Sequence, residues 1–323
     1  LYRGEGRPVV VSTVFSYGGD RSFLSFGDEI TQADLADESC YAFLKGAAIA
    51  FAPQGRPEVV KKLHADGTVL LYDIGWTPEM KLADYKDILQ YVDFFTVETK
   101  SYYDALSKTS VFKNRLGYLP NGVSTLNVDV SDIDSIPKEN IIITVGRLGE
   151  YVKNNELLLD AIKLLPDDIV KKWKFMFIGP STEAFIQTVK NFKERYPEKA
   201  DSIIMTGNIT DRTQLYTYCR RAKIICMTSR TEGACIATLE SMFFGAYPII
   251  TNYSDFALDT TNWGNCGRIV ENGNSDKLSA ELYNAMVDND LLSKCIISQN
   301  YARKMFDYNE LSKKLVEMLE NIN

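Results

Sequence analysis

The stretch IICMTSRTEGACIATLESMFFGAYPIIT, residues 224–251, has the pattern of a strand, a loop, a helix and a second strand. Residues 224–227 form a short apolar run with β-branched side chains, which predicts a buried strand. The polar run 228–233 predicts a loop, and apolar spacing predicts a helix over 234–244 that ends at Gly245. In open α/β sheets ligands bind at the carboxyl ends of strands, against helix N-termini, so this loop is a candidate ligand site.

Two carboxylates lie in this stretch. Glu232 belongs to the loop and Glu240 to the helix, with seven residues between them. A glutamate on a helix usually faces water, but Leu239, Met242 and Phe243 make this helix largely apolar all round, which predicts burial. A buried carboxylate needs a partner. A functional role and a structural role therefore both stay open for Glu240.

A second connection from strand to helix lies upstream and carries two cations. Residues 141–145 predict a strand that runs into Gly146 and Arg147, and Lys153 with Asn154 is predicted to open a helix. Two cations beside the positive end of a helix dipole suit a diphosphate, because each charge-assisted hydrogen bond contributes roughly 1.5–3 kcal/mol. The pair is therefore a candidate anion site.

Four segments of the chain resemble one enzyme family. They are GRLGEYVKN at 146–154, EGACIATLES at 232–241, GAYPIIT at 245–251 and LPNGV at 119–123. Together they resemble the nucleotide-sugar-binding domain of retaining glycosyltransferases of the GT-B architecture, the group with an E-x7-E motif. The resemblance covers about residues 96–323. It implies an α/β fold of two Rossmann-like domains with parallel sheets, of which the N-terminal one is short here.

The resemblance also implies a role for each matching residue. Arg147 and Lys153 would hold the diphosphate of the donor, and Glu232 would contact the donor sugar near the reacting carbon; these three are the implied catalytic residues. Glu240 would accept hydrogen bonds from the ribose hydroxyls. The implied donor-binding residues are Gly146, Arg147, Lys153, Gly207, Asn208, Ile209, Glu232, Gly233, Ala234, Cys235, Ile236 and Glu240.

The donor-binding set has one departure from the family pattern. Residues 207–209 would lie near the base, and the backbone amides of 234–236 would face the phosphates or the sugar. The family often has glycine where this chain has Cys235. We expect a side chain there to narrow the donor pocket or to change its sugar preference, while the amide stays available.

The resemblance implies an enzyme that moves a sugar from a nucleoside-diphosphate sugar to an unknown acceptor with retention of configuration. The acceptor would be a glycan, a lipid or a protein. No cofactor and no metal ion are expected, because protein cations take the charge of the leaving diphosphate. Two alternatives stay open: a non-catalytic subunit that binds nucleotide sugars, and a fragment of a sugar kinase fused to a glycosyltransferase domain.

The region before residue 96 is less specific. Its alternation of predicted strands and helices indicates a layered, mostly parallel domain, which would be a short domain on the acceptor side. Residues 8–95 also resemble part of the ribokinase-like sugar kinases, through GGDRSFL, ITQADL, VLLYDIGWTPE and YVDFF. Those kinases use a G-A-G-D motif that this chain lacks, and the nearest match, Gly18, Gly19 and Asp20, comes too early. Kinase chemistry is therefore the weaker interpretation.

Length and composition bound the remaining expectations. The 323 residues predict two domains, 1–136 and 137–323, because the acidic, proline-containing run 127–140 has the composition of a linker. The net charge of −7 argues against nucleic acid as a partner. Six cysteines without C-x-x-C spacing indicate neither a disulfide framework nor a metal site. No signal peptide and no apolar run of about 18 residues occurs, so we expect a cytoplasmic protein with at most peripheral contact to the inner face of a membrane.

Overall fold

The computed structural model of the chain describes residues 49–51, 57–74, 88–112, 114–125 and 128–320. The chain divides into two compact units, one of Leu1–Pro120 with Asn309–Asn323 and one of Asn121–Tyr308. Each unit contains its own parallel sheet, which confirms the predicted α/β class with two parallel sheets. The Gly18, Gly19 and Asp20 segment, and much of the region that resembles a sugar kinase, lie outside the described residues.

The first unit has a parallel sheet in the order β1-β2-β3-β4 within its described part. Helix α1 buries Val59, Val60 and Leu63, which lie on one face because they are spaced one and three residues apart. They pack in a common core with strand residues such as Leu70 and Phe95. The elements are β1 Ile49–Phe51, α1 Pro57–Ala65, β2 Val69–Asp73, β3 Phe94–Val97, α2 Lys100–Leu106 and β4 Leu116–Tyr118.

The second unit has a parallel sheet in the order β10-β9-β8-β5-β6-β7. The chain runs from β5 outward to β7 and then returns to place β8 on the other side of β5, so the strand order reverses between β5 and β8. Ligands bind at such a reversal because the loops that follow the two strands diverge there. The strands are β5 Glu139–Val145, β6 Lys174–Ile178, β7 Ile203–Gly207, β8 Ala222–Met227, β9 Tyr247–Thr251 and β10 Arg268–Val270.

Helices cover both faces of this second sheet, and buried residues of the two faces form two apolar clusters. Among the described residues, no helix has the length and hydropathy that crossing a membrane requires. The helices are α3 Glu156–Leu164, α4 Asp167–Val170, α5 Glu183–Arg195, α6 Pro197–Ala200, α7 Arg212–Arg221, α8 Ile236–Phe243, α9 Phe256–Thr260, α10 Ser275–Met286 and α11 Leu291–Met305, with a 3-10 turn at Ile133–Ser135.

The start of α3 differs from the prediction. Lys153 and Asn154 were expected to open this helix, but it begins at Glu156. Asn154 has a φ of +48°, a left-handed conformation that asparagine tolerates better than most residues and that no helix can include. Lys153 therefore lies in the turn before the helix, where its side chain is not restricted to a helix face.

The boundary between the units lies elsewhere than the run at 127–140. The contacts divide the chain between Pro120 and Asn121, and the 3-10 turn at Ile133–Ser135 packs within the second unit through the buried side chain of Ile133. Helix α12, Tyr308–Glu320, carries the chain from the second unit into the first. Its Lys314 ammonium lies 4.6 Å from the centre of the Tyr118 ring, in the first unit.

The central segment has the predicted order of strand, loop, helix and strand. Helix α8 buries six consecutive residues, from Thr238 to Phe243, which confirms that it is buried all round. Gly245, with a φ of +89°, ends it. The amides of Gly245 and Ala246 donate to the carbonyl oxygens of Met242 and Ser241, both at 2.8 Å, the pattern of a glycine helix cap.

Glycine is required where the loops after β5 and β6 cross. A Cβ atom at Gly179 would lie 1.9 Å from the carbonyl oxygen of Gly146, closer than any real contact. The Gly146 amide in turn donates to Ile178 at 3.0 Å, and the Gly179 amide to Gly207 at 2.9 Å. These contacts draw the carboxyl ends of β5, β6 and β7 together below the candidate site.

Lys199 is a buried lysine that caps the C-terminus of α3. Its ammonium donates to the carbonyl oxygens of Ile162, Lys163 and Leu165 at 3.1, 2.7 and 2.7 Å. We expect Lys199→Met to lower the free energy of unfolding by about 3 kcal/mol, since three carbonyl oxygens each lose a hydrogen bond from a charged donor. Urea denaturation measures the change. Lys190→Met, at an exposed lysine of α5, is the control and should stay within about 0.5 kcal/mol; equal effects in both would contradict the capping role.

Candidate functional site

An ion pair joins the two motif loops. The Lys153 ammonium lies 2.5 Å from Oε1 of Glu232, and the two side chains are only 18% and 14% exposed. The Ser229 hydroxyl donates to the same oxygen at 2.6 Å. The stem of Lys153 passes over Gly146, where a Cβ atom would lie 3.8 Å from Cε. The structure thus brings together Gly146, Lys153 and Glu232, which the sequence predicted for one site.

Arg230 joins the same two loops through hydrogen bonds. Its amide donates to Val152 at 2.8 Å, and its guanidinium donates to the carbonyl oxygen of Tyr151 at 3.1 Å and to Oδ1 of Asn154 at 2.8 Å. The guanidinium also lies 4.5 Å from the centre of the Tyr151 ring, a cation–π distance. Lys153 lies between these contacts along the chain, so its backbone is held on both sides.

Arg147 occupies a different environment from Lys153. Its side chain is 68% exposed, and one guanidinium nitrogen lies 3.2 Å from Oε2 of Glu150. An exposed ion pair of this kind contributes less than about 1 kcal/mol to stability. The guanidinium can therefore turn to a ligand at little cost in free energy. Arg147 follows Gly146 at the carboxyl end of β5, beside the loop that holds Lys153.

The loop that carries Glu232 leads directly into the N-terminus of α8. Cys235 precedes the helix with a φ of +42°, and its side chain makes no capping hydrogen bond to the helix amides. The first amides of a helix have no acceptor inside it and carry the positive end of its dipole, an arrangement that suits an anion. Gly233, Ala234 and Ile236 flank this position; Ser254 donates to the carbonyl oxygen of Gly233 at 3.3 Å.

The Cys235 side chain is packed away from solvent. It is 7% exposed, and the Thr238 hydroxyl donates to its Sγ at 3.1 Å. Burial, followed by the nearby charge of Glu232, raises the pKa of the thiol to about 12. The thiol therefore stays protonated and adds bulk rather than charge, and a left-handed backbone at a residue other than glycine stores strain at this position.

Glu240 has two donors on one oxygen. Its Oε1 lies 3.1 Å from a guanidinium nitrogen of Arg212 and 3.1 Å from the Tyr216 hydroxyl. The carboxylate is 5% exposed, whereas the Arg212 side chain is 30% exposed. Burial, with the charge of Glu240 as a second cause, raises the pKa of Tyr216, which keeps its hydroxyl protonated. The predicted partner of the buried carboxylate is thus a cation together with a phenol.

The three residues predicted near the base follow β7. Gly207 is the last residue of this strand, with a φ of +73°, and no atom lies within 4 Å of the place where its Cβ would be. Asn208 is exposed, and Ile209 is half-buried against the second apolar cluster. Asp211 then caps α7 by accepting from the amide of Thr213 at 2.8 Å. A polar and open surface therefore leads from Gly207 to Arg212.

Sequence reasoning missed three residues of this arrangement: Arg212, Tyr216 and Arg230. Arg212 and Tyr216 are four residues apart on α7, a spacing that places them on one face, but nothing in the sequence names the partner of that face. Within the described residues, no group of three or more histidine, cysteine, aspartate or glutamate side chains could hold a metal ion.

The family model described as "Glycosyl transferases group 1" matches residues 130–305, more than half of the chain. A curated relative from Campylobacter jejuni subsp. jejuni is 21% identical over 194 residues, 60% of this chain and 52% of its own. Its name is GalNAc-alpha-(1->4)-GalNAc-alpha-(1->3)-diNAcBac-PP-undecaprenol alpha-1,4-N-acetyl-D-galactosaminyltransferase. The chain spans about half the length of this relative.

Solved structures of similar fold cover more of the chain. The crystal structure of Anabaena HepE in complex with UDP has a TM-score of 0.68 at 14% identity, covering 88% of this chain and 82% of that one. A glycosyltransferase from Rickettsia africae has a TM-score of 0.64 at 16% identity, covering 88% and 80%. At these identities the likeness shows the fold, and it supports the GT-B architecture predicted from the sequence.

Proposed function

The chain belongs to the glycosyl transferases group 1 family, and from this premise we propose that it transfers a sugar from a UDP-sugar to an acceptor hydroxyl. The observation that carries the proposal is the Lys153–Glu232 pair beside the uncapped N-terminus of α8. It combines a cation and helix amides for a diphosphate with a carboxylate for the sugar. The UDP complex of Anabaena HepE supports UDP as the nucleotide.

In the proposed reaction, the bond between the anomeric carbon and the diphosphate breaks as the acceptor oxygen forms its bond to that carbon, and the proton of the acceptor hydroxyl passes to an oxygen of the leaving diphosphate. The leaving diphosphate gains negative charge in the transition state. Lys153, Arg147 and the first amides of α8 stabilise that charge more strongly than they stabilise the bound donor, which is what lowers the barrier. Protein cations thus take the place of a metal ion in this proposal, which also retains the configuration of the transferred sugar.

The remaining donor-binding residues have distinct proposed roles. Glu232 binds hydroxyls of the transferred sugar, and Ser229 and Lys153 fix its carboxylate for that purpose. Glu240 accepts hydrogen bonds from the ribose. Residues 207–209 contact the base, and the bulk of Cys235 shapes the pocket next to the sugar.

The acceptor in our proposal is a glycan. The name of the Campylobacter relative describes transfer to a glycan on undecaprenol diphosphate, which supports a carbohydrate acceptor attached to a lipid. Such an acceptor lies at a membrane surface. We therefore place the enzyme in the cytoplasm, in peripheral contact with the inner face of the membrane, with no nucleic-acid partner.

Thermal unfolding with a panel of UDP, GDP, ADP, ATP and common UDP-sugars tests the proposal. A ligand at 100 times its dissociation constant adds about 2.7 kcal/mol to the free energy of unfolding, so we expect UDP and one UDP-sugar to raise the melting temperature by several degrees. Release of UDP from that UDP-sugar then measures turnover, and water serves as the acceptor when no glycan is supplied.

Each other result has a distinct meaning. Stabilisation by the UDP-sugar without any release of UDP, with or without glycans, would favour the non-catalytic binding subunit. Stabilisation by ATP alone would favour the sugar kinase. Stabilisation by none of the nucleotides would contradict a donor site in this chain.

A further inference from the structure

We infer that Arg212 and Tyr216 are positioning residues that hold Glu240 for recognition of the ribose of the donor. This inference rests on the proposed function, since it assigns Glu240 to the ribose. It adds the two residues that determine whether the enzyme distinguishes a ribonucleotide from a deoxyribonucleotide. Neither residue contacts the reacting atoms in this assignment, because both act through the carboxylate.

The contacts converge on one atom. Arg212 and Tyr216 both lie 3.1 Å from Oε1 of Glu240. The Tyr216 hydroxyl also lies 3.3 Å from the carbonyl oxygen of Ser124, but it carries a single hydrogen, and we assign this to the charged carboxylate because charge-assisted bonds are the stronger ones. A carboxylate accepts about four hydrogen bonds, so Glu240 can hold these two donors and ribose hydroxyls together.

Tyr216 is fixed by packing, which makes its hydroxyl a rigid support. Its ring is 1% exposed and lies 4.5 Å, centre to centre, from the ring of Phe244. On the same helix, the thiol of Cys219 meets the Ser241 hydroxyl at 3.5 Å. Helix α7 is therefore packed against α8 and against the residue that follows it, and the carboxylate has little freedom to turn away.

Arg212 stands at an unfavourable place for a cation. It is the first residue of α7, where the helix dipole is positive and disfavours a positive charge. Its interaction with Glu240 offsets this cost. With 30% of its side chain exposed, Arg212 also marks where the nearly buried carboxylate approaches the surface.

The segment that contains both residues also contains the residues proposed for the base. Ile209 precedes Arg212 by three residues, and Asp211 caps the helix between them. One continuous segment, 207–216, thus contains both the proposed base contacts and the hydrogen-bond donors that orient the Glu240 carboxylate for the ribose. In this assignment, segment 207–216 recognises the nucleoside. The loops that contain Lys153 and Glu232 bind the diphosphate and the transferred sugar.

Isothermal titration with UDP and with 2′-deoxy-UDP tests the inference. We expect the unaltered protein to bind UDP roughly tenfold to a hundredfold more tightly, the effect of one hydrogen bond to a charged group. Tyr216→Phe, which removes one oxygen and keeps the packed ring, and Arg212→Met should each reduce that preference at least threefold. Arg212→Lys, which keeps the charge, should retain part of it. Arg221→Met removes an exposed ion pair with Glu139 at the other end of α7 and should leave the preference unchanged.

The ratio of the two dissociation constants separates positioning from a merely structural role. An equal loss of affinity for both nucleotides in Arg212→Met and Tyr216→Phe would overturn the inference, because damage to the fold or a direct phosphate contact does not depend on the 2′-hydroxyl. A preference near one in the unaltered protein would overturn it as well, while the proposed function would stand. Absence of UDP binding to the unaltered protein would overturn both.

Discussion

In the Arg147→Ala/Lys153→Ala variant, we expect release of UDP from a saturating UDP-sugar to fall about a thousandfold. The diphosphate gains charge as it leaves, and each lost charge-assisted hydrogen bond costs roughly 1.5–3 kcal/mol. Two such losses correspond to about 10²–10⁴ in rate. Affinity for UDP itself should fall less than turnover does, because the cations act more strongly on the transition state than on the bound ground state.

Two further variants make this result interpretable. Arg147→Ala alone changes a side chain that is 68% exposed, so it leaves the fold intact, and we expect a loss of about tenfold to a hundredfold. Lys163→Ala/Lys277→Ala removes two exposed cations elsewhere in the second unit and should not alter turnover. Unchanged turnover in Arg147→Ala/Lys153→Ala would remove these residues from the mechanism.

The second large effect concerns the Lys153–Glu232 pair. We expect the double variant to recover stability but not turnover. Lys153→Met and Glu232→Gln each leave a mostly buried charge without its partner, so we expect each to lower the free energy of unfolding by about 1–3 kcal/mol. The double variant removes both charges and should recover at least half of that loss. Turnover should fall at least about a hundredfold in all three, because the double variant restores neither the cation nor the carboxylate.

Urea denaturation and UDP release, measured on the same samples, complete this double-mutant cycle. The exposed pair of Lys277 and Glu271 is the matched control, and its cycle should stay within about 0.5 kcal/mol. Additive losses of stability at Lys153 and Glu232 would show that the pair is not coupled. Recovery of turnover in the double variant would show that neither side chain takes part in the reaction.

The predictions from the sequence were most accurate where a local pattern specifies the structure. Within 224–251, the apolar run predicted β8, the polar run predicted the loop after it, and Gly245 predicted the end of α8. The apolar residues around Glu240 correctly predicted that this carboxylate is buried. The sequence was a less reliable guide to where helices begin. Asn154 and Cys235 adopt left-handed backbones that no periodicity reveals, so α3 begins three residues later than predicted and α8 two residues later.

By itself, therefore, the sequence determined the α/β class, the order of the elements in the second unit and the loops on which the candidate residues lie. Hydrophobic periodicity and glycine act over a few residues, which is why the chain displays them directly. Only the tertiary structure decided that Lys153 pairs with Glu232, 79 residues away, and that Glu240 is held by Arg212 and Tyr216. Such partners meet because strand order places β5 beside β8 and packs α7 against α8, and that arrangement results from burial of the whole core rather than from any local pattern.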